Sequence, residues 1–124
     1  MPMPDPPRHA PPRNWVKNFL YATAGIAYVW RTERNFRLEV VVSVVVIGAA
    51  LLLRMDVVPI VFCCVMVMSL ELINTALEAV VDLVSPTYHP LAKIAKDVAA
   101  AAVLISSLGS LFVGLWLFLP VLWR

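Results

Sequence analysis

The chain has 124 residues, 61% of them hydrophobic and 15% charged, with a formal net charge of +2 and a mean hydropathy of +0.85. That length holds one domain and leaves no room for a separate catalytic module. A soluble domain carries roughly 25% charged residues, and so short a chain cannot hide this much apolar surface from water, so a water-soluble globule is excluded and the solvent must be lipid.

Six of the first twelve residues are proline (Pro2, Pro4, Pro6, Pro7, Pro11, Pro12), and no apolar core follows Arg8 or Arg13. No signal peptide is expected there, and residues 1–13 read as a disordered polar tail. From about residue 14 to 33, Trp15, Phe19, Ala22, Ile26 and Trp30 recur at helical spacing, with Lys17, Asn18 and Thr23 elsewhere. This predicts an amphipathic helix lying on the membrane surface, its aromatics at headgroup depth. A helix packed on the bundle would show the same pattern. A charged knot follows, from Arg31 to Glu39.

Three apolar stretches then predict three spans, at about 36–54, 57–84 and 92–119. A hydrocarbon core of ~30 Å takes ~20 helical residues. The third stretch meets this easily, the first only with snorkelling flanks, and the second only if its carboxylates are tolerated. Cys63 and Cys64 are adjacent within the second stretch and point about 100° apart on a helix, as packing residues rather than a bridge or a metal pair. Of the ten Lys and Arg, six come before the apolar run of the first span, Val40 to Leu53: Arg8, Arg13, Lys17, Arg31, Arg34 and Arg37. The first loop holds Arg54 beside Asp56, and the second region holds Lys93 and Lys96. The positive-inside rule then places the N-terminus in the cytoplasm and the C-terminus outside.

The chemistry is concentrated on the second span. In Glu71-Leu72-Ile73-Asn74-Thr75-Ala76-Leu77-Glu78-Ala79-Val80-Val81-Asp82, the polar residues lie at i, i+3, i+4, i+7 and i+11, within ~60° of one line at ~100° per residue. A carboxylate at mid-membrane costs at least ~2.5–3.5 kcal/mol. A stripe serving only to hold helices together through Asn74 and Thr75 is the plain alternative, but such a role does not need three acids. Beyond Ser85-Pro86, the third span opens with Lys93, Lys96 and Asp97. A lysine there can meet a phosphate as a point charge, and Glu33 and Glu78 can offer oxygen to Mg²⁺. Against this, Lys93 and Asp97 are spaced as an ordinary i,i+4 ion pair, and His89 alone reads as a loop hydrogen-bonder. Ala95, Ala99, Ala102, Ser106 and Ser110 make a small-residue face for close helix contact.

The run Glu71 to Asp82, followed by Ala95-Lys96-Asp97, resembles the signature of the prokaryotic diacylglycerol kinase family. Arg31-Thr32-Glu33-Arg34-Asn35-Phe36 and His89-Pro90-Leu91-Ala92-Lys93 are more similar to its undecaprenol kinase branch. The resemblance covers about residues 14 to 120. It implies an all-α membrane protein, with an interfacial N-terminal helix and three spans, forming a homotrimer with shared active sites. It also implies a Mg²⁺- and ATP-dependent kinase acting on a membrane lipid, in the inner (plasma) membrane, with no nucleic-acid partner. Glu71 would then be the general base on the lipid hydroxyl and contact the substrate, with Asn74 and Asp97 completing the catalytic set. Glu33 and Glu78 would hold the metal with ATP. Lys96 and Asp97 would contact the nucleotide, with Thr87, Tyr88 and His89 lining its pocket and Tyr21 at its edge. Where the family usually has an arginine near the start of the surface helix, this chain has Asn14, beside Arg13.

The residues agree with that class independently. Phosphoryl transfer needs a metal, a phosphate-binding cation and an oriented nucleophile, and only an alcohol anchored in the bilayer calls for a base at the depth of Glu71. The four glycines, Gly25, Gly48, Gly109 and Gly114, are scattered and form no nucleotide loop. The rival class is a small oligomeric proton-coupled transporter or channel, which accounts for Glu71 but not for the cytoplasmic Glu33, Glu78, Lys96 and Asp97. Diacylglycerol is the alternative substrate to undecaprenol.

Overall fold

The computed structural model describes residues 14–124, and the described residues form four helices: α1 (Trp15–Thr32), α2 (Arg34–Leu52), α3 (Val58–Val84) and α4 (Pro90–Leu122). The expected polar tail, 1–13, lies outside the described residues.

Each helix begins and ends for a local reason. Asn14 is extended and its side-chain oxygen accepts from the Val16 N–H at 3.1 Å, so it caps α1 in the manner typical of asparagine. Glu33 alone separates α1 from α2, with φ −108° and ψ 107°. Its N–H donates to the Val29 carbonyl, and its own carbonyl accepts from the Arg37 N–H. The Arg37 guanidinium donates to the carbonyls of Trp30 (2.8 Å) and Arg31 (3.2 Å), which the break would otherwise leave without partners. The corner is thus strapped from both sides, with Val29 and Phe36 buried beside it.

At the other end of α2, Arg54 adopts φ 55°. Its N–H donates to the Leu51 carbonyl and that of Met55 to the Ala50 carbonyl, the paired bonds of a helix closed by a left-handed residue. Asp56 accepts from the Val58 N–H at 3.0 Å, and Pro59 occupies the first turn of α3, where its missing N–H costs nothing. The α3–α4 connection is closed by Ser85, whose hydroxyl donates to the Thr87 carbonyl at 2.8 Å. His89 then caps α4 by accepting from the Leu91 N–H through Nδ1.

Three of the helices, α2, α3 and α4, are long and apolar enough to cross a membrane. Their 19, 27 and 33 residues correspond to about 28, 40 and 50 Å at ~1.5 Å per residue. The first just matches a ~30 Å core. The other two exceed it, and both carry charged residues beside the α3–α4 connection. α3 and α4 form the main pair, α2 lies against α3, and α1 touches both α2 and α3. Ala99, on the small-residue face of α4, is buried.

Few side chains are closed off within one chain. Among the described residues they are Val29, Phe36, Ala50, Ile60, Val67 and Ala99, together with Ser43, Glu71 and Thr75. Phe62, Ile105, Phe112 and Trp116 point outward. Such a surface would be untenable in water and is ordinary against lipid. α1 is buried only at Val29 and leaves Trp15, Phe19 and Tyr21 exposed, so its contact with the bundle is made near its C-terminal end.

Candidate functional site

Glu71 is 5% exposed, the most enclosed charged residue among those described. Residue 71 falls midway along α3, where the apolar first half gives way to the polar stripe. Thr75, one turn on, is also buried and donates its hydroxyl to the Glu71 carbonyl at 3.0 Å. That bond satisfies the threonine within its own helix and leaves the carboxylate free to face its neighbours. Asn74 donates to Glu78 at 3.4 Å, and its amide oxygen is buried without a partner. A buried acceptor of this kind calls for a donor. The one-residue break at Glu33 delivers a third carboxylate. Glu33 and Glu78 both lie within electrostatic reach of Glu71, although Glu33 and Glu71 are far apart in the chain.

A fourth carboxylate, Glu39 of α2, also lies within reach of Glu71. In the sequence it closes the charged knot from Arg31 to Glu39. One of its oxygens is buried and unpaired, and it lines a cavity of about 340 Å³ between α2, α3 and α4, shared with Ser43, Cys64, Ser107 and Ser110. The available signal was its place within the first apolar span, where an acid is costly unless it has a task. A second cavity, of about 400 Å³, lies between α1 and α3 and is lined by Gly25, Tyr28, Val29, Leu72, Thr75 and Ala76 among others.

The cations are sorted by the α3–α4 hairpin. Lys96 reaches across to Asp82 at 2.5 Å, whereas Lys93 pairs with Asp97 on its own helix at 2.5 Å. The i,i+4 reading of Lys93 and Asp97 therefore holds in this chain, and Asp97 is engaged by lysine. His89, expected as a loop hydrogen-bonder, accepts from the Leu91 N–H and so caps α4. Tyr21 and Tyr88 are exposed, at 70% and 79%, Thr87 is exposed as well, and none of the three lines either cavity. Within one chain the structure thus gathers Glu33, Glu39, Glu71, Asn74 and Glu78, and sets Lys96 beside Asp82. It does not bring Tyr21, Thr87 and Tyr88 into an enclosed pocket.

Among the described residues, no three His, Cys, Asp or Glu side chains converge as a ready-made metal centre. The carboxylates of Glu33 and Glu78 are nonetheless hard oxygen donors, both within electrostatic reach of Glu71. Mg²⁺ commonly takes one or two protein carboxylates and fills its remaining positions with phosphate and water. The donor set fits that ion in the company of a nucleotide better than a closed structural site.

Residues 20–118 match the family model described as Prokaryotic diacylglycerol kinase. The chain is 48% identical over 113 residues to a protein of Synechocystis sp. named diacylglycerol kinase, covering 88% of this chain and 65% of that protein. It is 42% identical over 111 residues to a Bacillus subtilis protein named undecaprenol kinase, covering 87% and 90% of the two chains. Against the Escherichia coli K12 protein named diacylglycerol kinase, identity is 35% over 94 residues, or 73% and 77% of each. The chain thus spans slightly under two thirds of the length of the Synechocystis relative.

Proposed function

This chain belongs to the prokaryotic diacylglycerol kinase family of lipid kinases, and on that premise we propose that it phosphorylates a membrane lipid alcohol with ATP, undecaprenol first and diacylglycerol as the alternative. The observation that carries this reading is the buried carboxylate of Glu71, flanked by Glu33 and Glu78 at the level where an apolar helix becomes polar. An alcohol whose chain lies in the bilayer presents its hydroxyl at that depth.

In this mechanism Glu71 accepts the proton of the lipid hydroxyl, a role worth about 10²–10⁴-fold. The hydroxyl oxygen attacks the γ-phosphorus as the bond from that phosphorus to the β–γ bridging oxygen breaks, with ADP as the leaving group. Asn74 orients the site through its bond to Glu78. Glu33 and Glu78 would hold Mg²⁺ with ATP, and the ion would supply charge neutralisation to the phosphates. Lys96 meets the phosphates as a point charge, and Asp97 completes the nucleotide contacts. Thr87, Tyr88, His89 and Tyr21 form the rim, which their exposure in the single chain suits if a neighbouring copy closes it. A homotrimer with shared sites supplies that copy, and so few buried residues in one chain support such an assembly. α1 lies at the cytoplasmic interface of the plasma membrane with its aromatics at headgroup depth, the N-terminus inside and the C-terminus outside. Asn14 is engaged as a helix cap, so either Arg13 takes over the phosphate contact of the family's arginine or that contact is lost.

Two features point to different lipids. The Arg31–Phe36 and His89–Lys93 variants favour undecaprenol, whereas the 48% identical relative is named for diacylglycerol. The decisive experiment presents both lipids to the purified protein in one mixed-micelle assay with radiolabelled ATP. Preferential labelling of undecaprenol is expected. Preferential labelling of diacylglycerol selects the alternative, and phosphorylation of neither lipid rejects the proposed function.

A further inference from the structure

Asp82 shares the polar stripe of α3 with Glu71 and Glu78, yet the reaction just described gives it no task. It is the acid that meets Lys96 across the α3–α4 hairpin, at 2.5 Å, with the two side chains 63% and 40% exposed. Building on the reading of Lys96 as a phosphate contact, we propose that Asp82 is a positioning residue that holds the Lys96 ammonium on the face of α3 where the nucleotide phosphates bind.

A lysine side chain is a flexible four-carbon stem ending in three donors. Left free at the start of α4, its ammonium would sample a wide arc of solvent. Asp82 takes one donor and leaves two for phosphate oxygens. The restraint also has a direction. Asp82 lies one turn beyond Glu78 on the same face of α3, and Glu78 is itself within electrostatic reach of Lys96. The cation is therefore held beside the carboxylate assigned to the metal. Lys93 shows the contrast: one turn earlier, it is bound to Asp97 of its own helix and is drawn along α4 instead of across to α3.

The pair is too exposed to hold the two helices together, since such pairs contribute little to stability. A positioning role and a structural role therefore separate in experiment. The full-length protein carrying Asp82→Asn, assayed in mixed micelles, is expected to show KM for ATP raised roughly two- to five-fold, the scale of an exposed pair. Its kcat and thermal midpoint should stay near those of the wild type. Asp82→Glu, which keeps the charge on a longer arm, should recover part of the loss. In a Lys96→Met background, Asp82→Asn should add nothing. A lowered KM would show that Asp82 competes with the phosphates for Lys96 and would overturn the proposal. An unchanged KM, or a joint fall in kcat and thermal midpoint, would overturn it as well. Lys96→Met alone keeps the two ideas apart: if it leaves ATP affinity intact, the phosphate role of Lys96 fails and this proposal with it. If it weakens ATP while Asp82→Asn does not, only the positioning role is lost.

Discussion

Replacing Glu71 by glutamine tests the centre of the mechanism. The substitution keeps shape and hydrogen-bonding capacity and removes only charge and basicity. Because Glu71 is 5% exposed, with Glu33 and Glu78 within reach, a neutral amide relieves repulsion among acids and offers them an N–H donor. The variant should therefore fold and assemble at least as well as the parent. Loss of a general base costs about 10²–10⁴ in kcat, which is ~2.7–5.4 kcal/mol of transition-state stabilisation at ~1.36 kcal/mol per tenfold. KM for ATP should change little, because proton transfer is needed only as the lipid oxygen attacks. The measurement is steady-state phosphorylation in mixed micelles with ATP varied at saturating lipid, alongside thermal unfolding of the same preparation. A preserved kcat with damaged ATP affinity would move Glu71 into the metal site. No effect on either would reduce it to a helix contact. The base would then be sought at Asp97, which must first leave Lys93.

Glu33→Gln and Glu78→Gln should each raise the Mg²⁺ concentration needed for half-maximal activity and weaken nucleotide binding at fixed Mg²⁺. Unchanged ATP affinity by calorimetry in both variants removes the metal assignment. With Cys63 and Cys64 replaced by alanine, a cysteine substituted at Asp56 should react with an impermeant thiol reagent outside intact cells, and one at Thr87 should not; labelling at Thr87 inverts the topology. Arg54→Gly should stabilise the protein by up to ~1 kcal/mol, because a non-glycine residue at φ 55° carries a left-handed penalty of roughly 1–2 kcal/mol that glycine's greater unfolded freedom only partly offsets. An unaltered or lowered thermal midpoint in detergent argues against that strain.

The helices themselves were legible in the sequence because lipid imposes a one-dimensional rule: a stretch either can bury its backbone and side chains in hydrocarbon or cannot. The spans expected at about 36–54, 57–84 and 92–119 stand within a few residues of α2, α3 and α4. The stripe from Glu71 to Asp82 was equally visible, since residues of one helix share a face by period alone. What period cannot report is which residues meet between helices. Glu33 and Glu39 join the acids around Glu71 because Glu33 breaks α1 from α2 and Arg37 straps that corner, an event set by two carbonyls and one guanidinium rather than by any repeat. The partner of Lys96 was undecidable for the same reason. Lys93 found Asp97 by local spacing, while Lys96 found Asp82 only because the Ser85–His89 connection folds α4 back on α3. Charge and spacing along one helix are properties of the chain; distance across a hairpin is a property of the packed structure.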